Sequence, residues 1–205
     1  MTVLTPMQVD ALNELGNIGS SHAANALSAL LMHHIQMTVP AVEIVDLADI
    51  HGYVTDDIFV TILFGMQGEI DHAGYIIFLL PLDSAIRMTN LLLGIPEEDR
   101  ELNEMDESTL QEVGNIMASA FLNASAELLG VVMLPSPPSL VIDMGHSAIE
   151  EILAELAVEV NEVIIFHTTL TCNQYSINGN LMMMPAIDTL SQILTLMDQL
   201  LEDAA

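Results

Sequence analysis

Apolar residues recur at intervals of three and four positions in two long segments of this chain. The first segment begins at Pro6 and continues to about His33, and the second begins at Asp106 and continues to about Leu129. This spacing places the apolar side chains on one face of an α-helix, and proline is favoured in the first turn of a helix. The pattern therefore predicts two long amphipathic helices.

Short apolar runs with the composition of β-strands follow each predicted helix. In the first half these runs are 42–50, 58–66 and 74–80, and in the second half they are 139–143, 160–170 and 174–184. Gly, Pro and Asp residues between the runs are typical of turns. A shorter helix is predicted to close each half, from Pro81 to about Gly94 and from about Ile187 to Leu201.

The order of helix, three strands and helix occurs twice, which predicts an α+β fold with an internally duplicated unit. We expect one domain, 1–205, made of pseudo-repeats at about 1–95 and 104–203 that a polar linker joins near 94–104. The long helices align without a gap at an offset of 98 residues, for which duplication is the simplest explanation. A helical insertion predicted at 147–156 has no counterpart in the first half.

The charge of the chain is extreme, with 29 acidic residues, only Arg87 and Arg100 as basic residues, and a formal net charge of -27. Nucleic-acid binding is excluded because phosphate backbones are held by cations that this chain lacks. The apolar fraction of 52% argues against a disordered acidic chain. Self-repulsion of this size is screened at high salt, so the composition favours a high-salt cytoplasm.

Cysteine content and the start of the chain both indicate a cytoplasmic protein. The single Cys172 cannot form an intramolecular disulfide, and the first residues contain neither a basic start nor an apolar signal segment. The longest apolar runs are far shorter than the roughly 20 residues that cross a bilayer, so no membrane insertion is expected.

Each long helix carries a ridge of polar residues at helical spacing. With 100° of rotation per residue, positions 10, 14, 17 and 21 fall within about 60° of one another. The first ridge consists of Asp10, Glu14, Asn17 and Ser21, and the second ridge of Ser108, Glu112, Asn115 and Ser119. The solvated face of an amphipathic helix is the alternative interpretation. Both ridges nevertheless keep one Glu and, three residues later, an Asn, which favours a functional site.

A glycine precedes the Asn in both ridges, at Gly16 and Gly114. Glycine inside a helix costs about 1 kcal/mol relative to alanine. Its repetition therefore predicts the close approach of another backbone, either from the neighbouring helix or from a docked partner.

The side chains of the ridges suit a site that a partner completes. Asn offers one acceptor and two donors, so it can orient a water molecule without taking its proton, a task that Gln performs in GTPases. Glu offers an anion for a cation on a partner. An autonomous phosphatase needs cations or a metal at the phosphoryl oxygens, and this chain has two arginines and no P-loop. We therefore expect the partner to bring the positive charge.

The ridges resemble the active-site pattern of the CheC/CheX/FliY phosphatases, Asp/Ser-x3-Glu-x2-Asn-x22-Pro. The first copy is Asp10, Glu14, Asn17 and Pro40, and the second copy is Ser108, Glu112, Asn115 and Pro138. Two copies in one chain resemble CheC rather than CheX, which typically has one site per chain and pairs as a homodimer. The resemblance implies two pseudo-twofold halves around a shared, largely antiparallel sheet, with both long helices exposed.

The resemblance also implies the activity, which is hydrolysis of the aspartyl phosphate on the chemotaxis response regulator CheY. In this family the Asn positions the attacking water, the Glu pairs with a receiver lysine, and the receiver holds the Mg²⁺. These roles fall on Asn17 and Asn115 and on Glu14 and Glu112. Asp10 and Ser108 are expected to support the ridges, and Pro40 and Pro138 to shape the turn into the next strand. No cofactor or metal of the chain's own is expected.

Other interpretations remain beside the phosphatase. The family resemblance suggests the deamidase CheD as a further partner, and a noncatalytic CheD-binding or FliM-like switch module is the alternative function. Intact Glu and Asn residues in both copies argue against that alternative. The chain is expected to be a monomer.

Ser20, Ser21 and His22 could suggest a hydrolase, and His33 and His34 a metal site. Adjacent helical residues point apart, so neither site is predicted.

Overall fold

The computed structural model describes residues 4–38, 42–46, 49, 52, 55–69, 74–96, 100–156 and 162–203. Within these ranges the chain forms five α-helices and eight β-strands. In chain order they are α1 (Pro6–Leu31), β1 (Gln36–Thr38), β2 (Glu43–Asp46), β3 (Ile58–Gly68), β4 (Gly74–Pro81), α2 (Leu82–Leu93), α3 (Glu104–Leu129), β5 (Met133–Pro135), β6 (Ser139–Met144), α4 (Gly145–Leu156), β7 (Glu162–Cys172), β8 (Ile177–Pro185) and α5 (Ile187–Asp203).

All eight strands belong to one sheet, and every pairing between them is antiparallel among the residues described. The hairpins β3–β4 and β7–β8 meet along β4 and β8 at the centre, where Ile77 lies opposite Met182. The outer strands then cross between the halves. β1 and β2, which follow α1, pair with β7, whereas β5 and β6, which follow α3, pair with β3. Neither half has a complete sheet without the other.

The main core lies where α1 and α3 pack against each other and against one face of the sheet. α1 contributes Leu12, Leu15 and Leu27 to this core, α3 contributes Phe121, and Phe64 of β3 comes from the sheet. Burying a side chain of this size fully stabilises the fold by roughly 1.5–3 kcal/mol. Each long helix crosses to the other half. Ser20 of α1 hydrogen bonds to Thr168 of β7 at 3.1 Å, and α3 lies over β3.

The opposite face of the sheet has a smaller core. Ile77 and Leu79 of β4 and Met182 of β8 pack there against Ile149 of α4. α4 therefore covers apolar surface that the two long helices cannot reach.

The predicted α+β class and the antiparallel sheet are confirmed, but three strands in each half is too few. β1 and β5 are additional strands of three residues each, and such short segments show no alternation that a sequence can reveal. The strand predicted at 42–50 is β2, Glu43–Asp46, and much of its later part lies outside the described residues. Duplication and the proposed domain boundaries stay predictions.

The predicted insertion at 147–156 is α4, which begins at Gly145. α1 ends at Leu31, just before the predicted end near His33, and α3 begins at Glu104 rather than at Asp106. No helix in the described ranges has both the length and the apolar composition needed to cross a membrane.

Candidate functional site

The first ridge lies on α1, whose N-terminus is capped by Thr5. Thr5 Oγ1 accepts a hydrogen bond from the backbone N–H of Gln8 at 3.3 Å, and the Thr5 N–H donates to Gln8 Oε1 at 3.0 Å. This capping box satisfies two backbone groups at the N-terminus of α1. All four residues of the first ridge are exposed. Their helix is anchored from its opposite side, where Leu12 and Leu15 are fully buried.

A neighbouring polar residue connects the first ridge to the strand that follows. Asn13 Oδ1 accepts a hydrogen bond from the backbone N–H of Val42 at 3.1 Å, just before β2. Because Asn13 precedes Glu14, this bond fixes the chain at Val42 beside the ridge. Pro40 lies outside the described residues.

The second ridge forms one wall of an open cleft of about 460 Å³. Ser108, Glu112, Asn115 and Pro138 all line this cleft. The residues at the two ends of the long spacing therefore face the same cleft in the second copy, because β5 and the proline-rich turn bring the chain back to α3. Gln111 and residues 135–137 complete the lining, and we call this space the proline cleft.

Ser136 holds the opposite wall of the proline cleft. Prolines have no backbone N–H, so Ser136 carries the only one in residues 135–138. That N–H donates to the Gly65 carbonyl at 2.7 Å, and Ser136 Oγ accepts from the Gly65 N–H at 2.8 Å. The turn is thereby fixed to β3. Sequence reasoning missed this contact, although a lone serine among prolines is a usable signal.

A buried ion pair anchors the start of α3. Arg100 donates to both carboxylate oxygens of Asp106, at 2.6 and 2.7 Å. It also donates to Asn90 Oδ1 at 2.7 Å and to Thr89 Oγ1 at 2.9 Å near the end of α2. Asp106 in turn accepts from the backbone N–H of Asn103 in a capping box. We call these five residues the arginine clamp.

The arginine clamp lies just ahead of Ser108, and its ion pair is nearly inaccessible to solvent. The side chain of Arg100 is 11% exposed and that of Asp106 is 0% exposed. The Arg100 hydrogen bonds hold the pKa of Asp106 below its usual value, against the opposing effect of burial. Sequence reasoning missed the clamp. The capping pattern of Asn103 and Asp106 can be recognised in the sequence, but the pairing of Arg100 with Asp106 cannot.

The expectation for the paired glycines is wrong at Gly114. A Cβ atom there would lie 3.1 Å from the ring of Phe64 and 3.2 Å from Ile62, which are side chains of β3 and not another backbone. α3 approaches α1 closely at Gly19, where a Cβ would lie 2.7 Å from the Phe121 ring. These glycines therefore seat the long helices on the sheet and on each other, and Gly16 is likewise buried.

The electrostatics of both ridges are acidic. Arg100 is held in the clamp, and Arg87 pairs with Asp83 at 2.9 Å and donates to the Ser176 carbonyl at 2.7 Å. Neither arginine lines the proline cleft. Among the described residues, no group of three His, Cys, Asp or Glu side chains is placed to hold a metal ion. Each ridge thus offers a carboxylate and, one turn away, a neutral carboxamide.

Comparison with known proteins agrees with this layout. The CheC-like family model matches residues 7–44 and 105–142, which are the two ridges and the strands that follow them. The CheY-P phosphatase CheC of Bacillus subtilis is 31% identical over 194 residues, which cover 91% of each chain.

Solved structures share the fold. FliY of Thermotoga maritima superposes with a TM-score of 0.76 at 20% identity, covering 97% of this chain and 99% of that one. The FliM middle domain of H. pylori gives 0.67 at 10% identity, covering 94% and 99%. The sequence match to CheC spans nearly the whole chain and includes both ridges, and this chain therefore belongs to the CheC-like family.

Proposed function

We propose that this chain is a chemotaxis phosphatase that hydrolyses the aspartyl phosphate of the response regulator CheY. The observation that carries the proposal is the doubled ridge, in which a Glu and an Asn stand one turn apart on each of two long helices. The proposal is further supported by the relative named CheY-P phosphatase CheC, which aligns over nearly the full chain.

The reaction needs a water molecule held in line with the bond that breaks. Water oxygen bonds to phosphorus while the bond between phosphorus and the aspartyl oxygen breaks, and the products are the Asp carboxylate and inorganic phosphate. The Asn17 and Asn115 carboxamides orient that water, which suits groups that do not take up its proton. Positioning of this kind can lower a barrier by up to roughly 7–11 kcal/mol.

The two glutamates dock the receiver. Glu14 and Glu112 are exposed and precede the Asn residues by three positions, so each can pair with a cation beside the phosphorylated Asp. In this proposal the receiver lysine supplies that cation, and Mg²⁺ on the receiver neutralises the phosphoryl oxygens. Asp10 and Ser108 begin the ridges, and Pro138 shapes the wall opposite Asn115.

Decay of phosphorylated CheY at high salt tests the proposal. Wild type should accelerate the decay, Asn17→Ala and Asn115→Ala should each retain the activity of one site, and the double variant should lose at least 100-fold, in line with loss of a catalytic positioning group. Asn25→Ala and Asn123→Ala are matched controls. They remove exposed asparagines from the same helices, about 12 Å further along, and should leave the rate unchanged.

The competing function is a noncatalytic interaction module, either CheD-binding or of the flagellar-switch type. The likeness of the fold to the FliM middle domain favours it, although that likeness concerns the fold alone. A wild-type chain that binds phosphorylated CheY without accelerating its decay would establish this alternative. Full activity in the double Asn variant would instead refute the roles given to Asn17 and Asn115.

A further inference from the structure

An exposed methionine precedes each ridge on its helix. Met105 is 65% exposed and lies three residues before Ser108, and Met7 is 61% exposed and lies three residues before Asp10. Both occupy the second position of their helix, and both project on the side of the ridge, because residues three apart share a helix face. A single exposed apolar side chain is ordinary, and it indicates contact with a partner only where it belongs to a larger apolar surface.

At the second ridge this methionine borders an apolar cleft. The cleft has a volume of about 280 Å³ and opens between α1, α2 and α3. Leu30, Leu92 and Val113 form its apolar lining together with Met105. We call it the leucine cleft.

The leucine cleft and the proline cleft share two residues. Ser108 and Glu112 line both of them, so the second ridge separates the two spaces. An interface of ordinary size that includes Glu112 is therefore wide enough to cover the leucine cleft as well, since such interfaces bury about 800 Å² on each partner.

We infer that the leucine cleft is the apolar half of the docking surface for the receiver domain, which inserts an apolar side chain there while its cation pairs with Glu112. Met105 closes over the inserted side chain, a use that suits the flexible and polarisable thioether. This inference rests on the proposed function, because it takes the receiver as the occupant.

The geometry specifies the face of the partner. Met105 and Glu112 are seven residues apart on one helix, which corresponds to about 10 Å along its axis. The receiver should therefore present an apolar side chain within about 10 Å of the cation that pairs with Glu112. An apolar contact would also limit the salt dependence of docking, because burial of apolar surface is not screened as ion pairs are.

The test isolates the second site by combining Glu14→Ala with Asn17→Ala, which removes docking and turnover at the first. In that background, Met105→Gln keeps the length and helix propensity of the side chain but makes it polar. We expect about a fivefold to tenfold rise in KM for phosphorylated CheY with unchanged kcat, the size expected for losing part of one buried methionine. Met32→Gln is the matched control, since Met32 is 86% exposed at the C-cap of α1 and is not among the residues that line either cleft, and should change KM less than twofold.

A second readout separates this inference from the proposed function. The Kd for CheY carrying beryllofluoride, a stand-in for the aspartyl phosphate, should rise by the same factor in Met105→Gln. If wild type binds that form without accelerating the decay of phosphorylated CheY, the proposed function fails, and the Kd comparison still decides the docking surface. Equal constants for parent and Met105→Gln, a fall in kcat alone, or no binding by the parent would each overturn the inference.

Discussion

The two ridges carry the same pattern but stand on different supports. Both helices begin with a capping box at equivalent positions, Thr5 with Gln8 in α1 and Asn103 with Asp106 in α3. In α1 the box is local and exposed. In α3 its carboxylate is fully buried and bound twice by Arg100. The same local hydrogen bonds that start a helix thus also form a tertiary anchor in the second half, but not in the first.

This difference in support predicts that the two proposed sites are unequal. The arginine clamp joins the end of α2 to the first turn of α3, and Ser136 fixes the opposite wall of the proline cleft to β3. The second site is therefore preorganised on both sides. The first ridge carries more charge, since Asp10 stands where the second ridge has Ser108. We expect preorganisation to favour kcat at the second site and charge to favour docking at the first.

The largest effect should come from breaking the arginine clamp. Arg100→Met leaves the Asp106 carboxylate buried without its cation, which typically costs about 3–5 kcal/mol. Urea unfolding at high salt should show this loss in the free energy of unfolding. The surviving folded protein should lose second-site activity, measured in the Asn17→Ala background, more than first-site activity in the Asn115→Ala background.

The other arginine supplies the control. Arg87 is 40% exposed and pairs with an Asp83 side chain that is 60% exposed, so Arg87→Met should cost no more than about 1 kcal/mol. Equal losses in the two variants would contradict the distinction between a buried anchor and a surface ion pair.

The clamp should also set part of the acid sensitivity of the fold. Because the folded pKa of Asp106 is lowered, the unfolded chain takes up the proton more readily as the pH falls. The stabilisation from Asp106 is therefore fully present above the unfolded carboxyl pKa, near 4, and is lost as the pH falls through the lower folded value. Unfolding free energies measured from pH 6 down to pH 2.5 should fall less steeply in Asp106→Asn than in wild type.

A smaller effect is expected on the opposite wall of the proline cleft. Ser136→Ala removes the acceptor for the Gly65 N–H but keeps the backbone bond from residue 136. Loss of one such hydrogen bond costs about 1 kcal/mol. Second-site kcat should fall while first-site kcat stays constant, and a parallel fall at both sites would show that the turn does not serve the second site specifically.

The sequence predicted the parts of this fold that depend on local pattern. The two long helices and the runs at 58–66, 74–80 and 174–184 became elements close to the predicted bounds because their apolar spacing extends over many residues. The crossing of β1 and β2 onto β7 could not be predicted, since the pairing joins residues more than 100 positions apart, such as Met37 and Leu170.

The site residues were likewise predictable only where they depend on a local sequence pattern. The two ridges could be predicted from the sequence because Glu14 and Asn17 repeat as Glu112 and Asn115 at constant spacing. The arginine clamp could not be predicted, because nothing in the charge pattern distinguishes the buried Arg100 from the partly exposed Arg87. The prediction that another backbone approaches the paired glycines was wrong at Gly114 for a related reason. A helical glycine signals close approach, but the partner of Gly114 is a sheet side chain that only the tertiary packing selects.

The smallest effect tests whether charge or support distinguishes the two sites. Asp10→Ser gives the first ridge the residue of the second, and Ser108→Asp makes the reciprocal change. An exposed charge contributes up to about 1 kcal/mol, so KM should rise up to about fivefold at the first site and fall by a similar factor at the second. Both shifts should shrink as salt is raised, because screening shortens the reach of the carboxylate to about 3 Å at 1 M. If kcat follows the exchanged residue instead, charge rather than the arginine clamp makes the sites unequal.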